Sequence, residues 1–448
     1  MANDSGPQLR RSVGGVQLAM YGVGSMLGAG IYGLIGVAAG VMGSAIWLAF
    51  LASMVAALLT GLTYASIGSR YPKAAGAAYV AHRAFGLPLL SYVVGLAVIC
   101  SGLSSIATQS KVVANSLQAL FGPLQAVPIP VLAVVFILVL AAVLFRGIKE
   151  SLLFNTICTI VEVAGLVFVI AVGARYWGTA DLTEMPVSPD GGLAALVVLQ
   201  GAVLTFFSFI GFEDTLNVAE EVKEPERNLP LALMAALIVA TILYLGVAVT
   251  AVSVIPWREL AQSQAPLATV VAKAAPWFPT VGFGILTIFA VSNTALVNYV
   301  MGSRLLYGLS SQGLAPRFLS AIHADRRTPH MAIVVLFFVA VGLSMLGDIS
   351  QLASATVLLL LFVFVLINIA YLVLKLRKDE PKSAFEAPAF VPLLGAAVCA
   401  ALIMARVLQG DWRAPAIAGG LLAVLVVLYF LTGRPTGEAV AHASDIPD

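Results

Sequence analysis

Glu162 stands in the middle of an apolar run, Leu152 to Gly173. A carboxyl at such a helix centre costs roughly 2.5 to 3.5 kcal/mol on membrane-insertion scales, so it calls for a task or a partner. Asn155, Thr159 and Gly165 fall on its helical face, which predicts that the acid points inward rather than at lipid. Three roles are open to it: carrying a proton, coordinating a cation, or resting as a structural acid satisfied by hydroxyls or a lysine. A second acidic pair, Glu213 and Asp214, follows the apolar stretch that starts at Thr205. Glu213 either locks its helix to a neighbour as a gate or caps the inner half of that helix beside Asp214. Lys111 shares a face with Ser101, Ser104, Thr108 and Asn115, and this polar stripe is expected to line a cavity. Lys111 itself either snorkels to the outer interface or acts near an external vestibule.

Two glycine-bearing interruptions say where such groups converge. The run Val16 to Met42 carries the segment Gly24-Ser25-Met26-Leu27-Gly28-Ala29-Gly30, read here as an unwound stretch between two half-helices. Free N-H groups near Gly28, Ala29 and Gly30 would then hold a carboxylate at a positive helix end. Close helix packing through small residues fits the glycine spacing alone equally well. The counterpart is Phe207-Ser208-Phe209-Ile210-Gly211-Phe212-Glu213, where an apolar helix meets glycine and then acid. Irregular backbone is tolerated at membrane depth only where protein or a water-filled cavity supplies partners. Paired interruptions at corresponding places in two halves point to an inverted-repeat secondary transporter, although no residue-level identity joins the halves.

The elements that must position these residues follow from hydropathy. The chain is 60% apolar and 10% charged, with a mean hydropathy of +1.00. Twelve runs are long enough to span a bilayer: Val16 to Met42, Ser44 to Gly68, Pro88 to Leu120, Ile129 to Phe145, Leu152 to Gly173, Gly192 to Glu213, Leu231 to Val254, Val281 to Leu309, Met331 to Leu346, Leu352 to Leu374, Phe390 to Ala405, and Ala414 to Leu431. With the N-terminus inside, 18 of the 24 Lys and Arg residues fall on the inner side and five on the outer, Lys111 lying within the third span. Both termini are therefore expected in the cytoplasm and the protein in the inner (cytoplasmic) membrane. No cleavable leader is expected before the first span, because Met1 to Ser12 is short and polar. Cys100, Cys158 and Cys399 all fall within spans, with no metal or disulfide spacing, and read as packing residues. His82, His323, His330 and His442 lie in loops or tails, and no nucleophile or phosphate-binding motif accompanies them, which argues against an enzyme or an ATP-driven pump.

The segment Gly24 to Gly33, the stretch Ser69 to Tyr79, the segment Phe207 to Glu213 with the loop Ala219-Glu220-Glu221-Val222-Lys223-Glu224-Pro225 running on to Pro230, and Gly302-Ser303-Arg304 through Gly313 to Pro316 occur in this order along the chain. In these motifs the sequence resembles the amino acid-polyamine-organocation (APC) superfamily. The resemblance implies an all-α membrane protein of twelve transmembrane helices with a leucine-transporter-type 5+5 inverted repeat and discontinuous helices one and six. It implies a core over 16-376, with repeats 16-173 and 192-376, two additional helices over 377-432, and tails over 1-15 and 433-448. It also implies that a substrate carboxylate meets Gly28, Ala29 and Gly30, that its amine meets carbonyls of Met26, Phe207 and Ile210, and that Phe207 closes over it. Ser292, Asn293 and Thr294 fall near the superfamily's second ion site. Many relatives hold a lysine where this chain has Glu162, so lysine-based coupling does not transfer. The implied function is amino acid transport by alternating access, with the proton as first coupling ion and sodium as second, and no cofactor. Neutral amino acids come first, then cationic ones or polyamines, by symport or exchange. A channel or an amino acid sensor on the same scaffold are the rivals. Lipid is the expected surrounding, with no nucleic acid and, because Phe121 to Pro130 lacks cysteine, no disulfide-linked partner.

Overall fold

Long apolar segments have no solvent to bond to in a bilayer, so each must close its backbone hydrogen bonds within a helix. A computed structural model describes residues 13–71, 76–146, 152–186, 194–311, 315–323, 326, 328–381 and 383–431. The expected tail 433-448, most of the tail 1-15, and parts of the Ser69 to Tyr79 and Gly302 to Pro316 motifs lie outside the described residues. The helices are α1 (Gly15–Met26), α2 (Ala29–Tyr32), α3 (Ile35–Met42), α4 (Ile46–Arg70), α5 (Gly76–Phe85), α6 (Pro88–Leu120), α7 (Ile129–Arg146), α8 (Leu152–Gly173) and α9 (Ala194–Phe206). After a 3-10 region follow α10 (Pro225–Val254), α11 (Trp257–Gln262), α12 (Pro266–Ala274), α13 (Thr280–Ser311), α14 (His330–Leu346), α15 (Ile349–Leu376), α16 (Phe390–Leu408) and α17 (Arg413–Leu431). Among the described residues there is no strand, only an isolated bridge between Val13 and Val222 that ties the start of the chain to the charged loop after α9.

Ten helical stretches among the described residues are long and apolar enough to cross a membrane. The protein is therefore a multi-pass membrane protein. Two of the expected spans are not among those ten as single long helices. The first is cut into α1, α2 and α3, with α3 running through a short 3-10 turn into α4, and the ninth is the 17-residue α14. The core is formed by α1 against α8 and α10, α4 against α9 and α10, and α6 against α13 and α15. The outward faces carry Leu138, Ile160, Ile242, Phe338 and Val427, all exposed, as a lipid-facing surface demands.

At the end where α4 and α5 meet α15, the stretch before α16 is strapped down by polar contacts. Arg70 and Lys375 reach Glu386 at 2.6 and 3.3 Å, and Arg83 reaches Glu380 at 2.8 Å. The Phe385 and Ala387 amides donate to Ser69 and Ser66. Burial alone would raise the Glu386 pKa, but the hydrogen bond from Arg70, the Ser383 amide and Lys375 outweigh it and hold that pKa at about 2.

Candidate functional site

The two interruptions foreseen in the sequence are present in the backbone. α1 stops at Met26, Leu27 is extended, and Gly28 (φ −167°, ψ −144°) precedes the single turn of α2. The second interruption follows α9: a 3-10 turn over Phe207–Phe209, an extended Ile210, Gly211 at φ +118°, then a 3-10 segment over Phe212–Glu221. Glycine is required because the two breaks press against each other. A Cβ on Gly30 would lie 2.5 Å from the Ser208 Cα, and one on Gly211 would lie 2.6 Å from the Ser25 carbonyl carbon, besides needing a left-handed conformation. Among the described residues no backbone acceptor takes the N-H groups of Gly28, Ala29 or Gly30. These donors are the unsatisfied end that an unwound segment must leave.

Side chains from other helices hold the breaks in place. Tyr244 of α10, fully buried, points its hydroxyl at the carbonyls of Met26 (2.9 Å) and Ser208 (2.7 Å), sharing one proton between the two breaks. Thr294 of α13 donates to the Leu27 carbonyl at 2.8 Å. Glu213 accepts from the Gly211 amide at 2.9 Å, two residues before it in the chain. Nothing in the sequence singled out Tyr244, since a tyrosine in an apolar helix reads as packing.

A narrow, partly open cleft lies between the breaks. Met26, Gly28, Ala29, Gly30, Phe207 and Ile210, the six residues expected to contact a substrate, all line it. Asp214, Thr294, Asn298, Ser105 and Gln109 also face it and were not foreseen as its lining. The polar stripe expected to line the cavity does not. Ser101 and Ser104 turn their hydroxyls onto the Thr356 and Leu352 carbonyls of α15, and Thr108 bonds back to Ser104 within α6. Hydroxyls satisfy themselves on backbone, so such a stripe serves helix association as readily as a wet cavity. The lining residues of α6 stand one position further round the helix, at 105 and 109. Lys111 is half-buried and donates to the Gly347 carbonyl before α15, away from the cleft lining.

Glu162 is fully buried and points inward as expected. Its Oε1 accepts from Asn293 Nδ2 at 3.1 Å, its Oε2 has no hydrogen-bond partner among the described residues, and its backbone carbonyl accepts from Tyr32 at 2.7 Å. Thr159, one turn earlier, fits against Gly24 of α1. Asn293 thus serves the acid and Thr294 serves the break, while no hydrogen bond joins Ser292 to either.

A family model described as "Amino acid permease" matches residues 13–432. The chain belongs to this family. The permease is 28% identical to the branched-chain amino acid permease of Bacillus subtilis (strain 168), over 95% of this chain and 94% of that protein. It is 27% identical to the methylthioribose transporter of the same organism, over 89% of each chain. It is 30% identical to the vacuolar cationic amino acid transporter 4 of Arabidopsis thaliana, over 83% of this chain but only 64% of that longer protein. Family and relatives alike make this permease a transporter and not an enzyme.

Proposed function

We propose that this permease carries amino acids across the cytoplasmic membrane by alternating access, in symport with protons. The observation that supports it most is the cleft between two mutually packed helix breaks, lined by Gly28, Ala29 and Gly30, whose N-H groups meet no backbone acceptor among the described residues. A zwitterion suits that cleft: Gly28, Ala29 and Gly30 take its carboxylate, and carbonyls of Met26, Phe207 and Ile210 take its amine. Held mostly by main chain, the ligand needs no buried fixed charge of its own. The Met26 carbonyl accepts from Tyr244 and keeps a second lone pair for an amine.

Counting α1 to α3 as the first span and α9 with its 3-10 continuation as the sixth gives twelve crossings. These divide into repeats 16-173 and 192-376 followed by two helices over 377-432, with both termini in the cytoplasm. Glu162 is the proton carrier: a buried carboxyl beside the first break, with one oxygen bound by Asn293 and the other open to a proton. Proton loss and gain there would bias how α1 and α8 pack, linking the ion to the opening of the cleft. Glu213 supports the sixth helix at its break.

A second reading, transport of cationic amino acids or polyamines, is favoured by Asp214, an acidic residue among those lining the same cleft. The family contains a protein named for methylthioribose, so the substrate has to be measured. Uptake of labelled amino acids and amines into proteoliposomes, with proton and sodium gradients imposed in turn, tests both. Accumulation driven by protons supports symport; accumulation driven by sodium alone contradicts the proton assignment. Binding without uptake would make the protein a sensor.

A further inference from the structure

α6 turns Ser105 and Gln109 toward the cleft, and α13 faces them with Asn298. The Gln109 amide donates from Nε2 to Ser105 Oγ at 2.9 Å, and the Asn298 amide donates from Nδ2 to the same oxygen at 3.3 Å. Two donors fill the acceptor sites of one hydroxyl, whose own proton is left to be given elsewhere. The other end of the Gln109 amide, Oε1, is buried and has no hydrogen-bond partner among the described residues. Gln109 is only 1% exposed, so bulk water is not the answer to that oxygen. The wall therefore offers an unused acceptor beside an unused donor at a cleft that Met26, Phe207 and Ile210 also line.

We propose that Gln109 sets side-chain selectivity: it admits amino acids whose side chains carry a hydrogen-bond donor, amides and alcohols first, and disfavours aliphatic side chains of the same shape. The inference rests on amino acid transport through this cleft. An amide such as that of asparagine gives a proton to Gln109 Oε1 and receives one from Ser105. The isosteric isopropyl group of leucine seals Oε1 against a methyl and leaves it without a partner. A site built for a hydrogen bond rejects the analogue that lacks it, because its own buried groups are then unpaired. The expected discrimination is about 10- to 100-fold in kcat/KM.

The test measures uptake of two isosteric pairs, asparagine with leucine and threonine with valine, into proteoliposomes holding the full chain. The native protein is expected to favour asparagine and threonine by about 10-fold or more. Gln109→Leu and the length-matched Gln109→Met are expected to bring each ratio within about threefold, chiefly through faster leucine and valine uptake. A merely structural role for Gln109 would depress all four substrates together and leave the ratios unchanged, which overturns the proposal. So does a native protein that carries leucine and valine as well as their polar partners, a result that decides the matter even if neither variant folds. Failure to carry any amino acid overturns the transport function itself and this inference with it.

Discussion

Replacing Gly30 with alanine tests whether the two helix breaks are in contact. The added Cβ falls 2.5 Å from the Ser208 Cα, where ordinary contact begins at 3.4 Å. The obstacle is main chain, so no side chain can swing away, and the breaks must separate by about an ångström. Overpacking of this kind costs about 1 to 3 kcal/mol, and a misplacement of about 1 Å in a binding geometry costs on the order of 100-fold in rate. Uptake by Gly30→Ala is therefore expected to fall about 10- to 100-fold in kcat/KM, with a lower melting temperature in detergent. Gly102→Ala is the control: it lies in α6, where a Cβ would meet nothing within 4 Å, and should leave both quantities near native. Native uptake and native melting in Gly30→Ala would refute the close approach of the two breaks and with it the main-chain site between them.

Other substitutions probe the supports. Tyr244→Phe removes the hydroxyl shared by the Met26 and Ser208 carbonyls, and a lost buried donor of this kind costs about 1 to 3 kcal/mol; thermal unfolding should register the loss and KM should rise, whereas unchanged values for both would deny it a positioning role. Glu162→Gln keeps a hydrogen-bonding partner for Asn293 but cannot exchange a proton, so uptake should lose its dependence on pH while substrate exchange persists; an unaltered pH profile would remove Glu162 as the carrier. Glu386 has a folded pKa of about 2, below the ordinary glutamate value of about 4.3. Its stabilising effect is thus complete above the higher value and fades as pH falls toward the lower one. The melting-temperature gap between native protein and Glu386→Gln should hold from neutral pH to about 4.5 and close below it; a gap constant down to pH 3 would show that the Arg70 and Lys375 contacts do not set it.

The breaks were legible because glycine and acid inside an apolar run conflict with the simplest helix, and local conflicts of that kind mark sites. The six expected contact residues are those the superfamily resemblance implies at these two motifs, and all six line one cleft. What the sequence hid was partnership at a distance. Tyr244 is 218 positions from the Met26 carbonyl and 36 from the Ser208 carbonyl it touches, and its aromatic ring suits an apolar helix whether or not its hydroxyl has work. The phase of α6 was misjudged for a related reason: Ser101, Ser104 and Thr108 make the longer stripe, but their hydroxyls are spent on backbone, whereas the pair 105 and 109 looks unremarkable by spacing. The further break between Tyr32 and Ile35 gave no signal beyond one more glycine in a run already rich in them. Positive charges fixed an expected sidedness, but seven of those assigned to the inner side, Arg10, Arg11, Lys73, Lys149, Arg327, Lys382 and Arg434, lie outside the described residues.

Accumulation against a gradient is the measurement that reaches furthest. Purified protein in sealed proteoliposomes, given an inward proton gradient of one pH unit and a labelled amino acid at equal concentration on both sides, should concentrate that amino acid inside by up to about tenfold for one proton per substrate. The excess should vanish when a protonophore collapses the gradient. Amino acid that merely equilibrates, with or without the gradient, would mean a passive pathway and contradict proton-coupled alternating access.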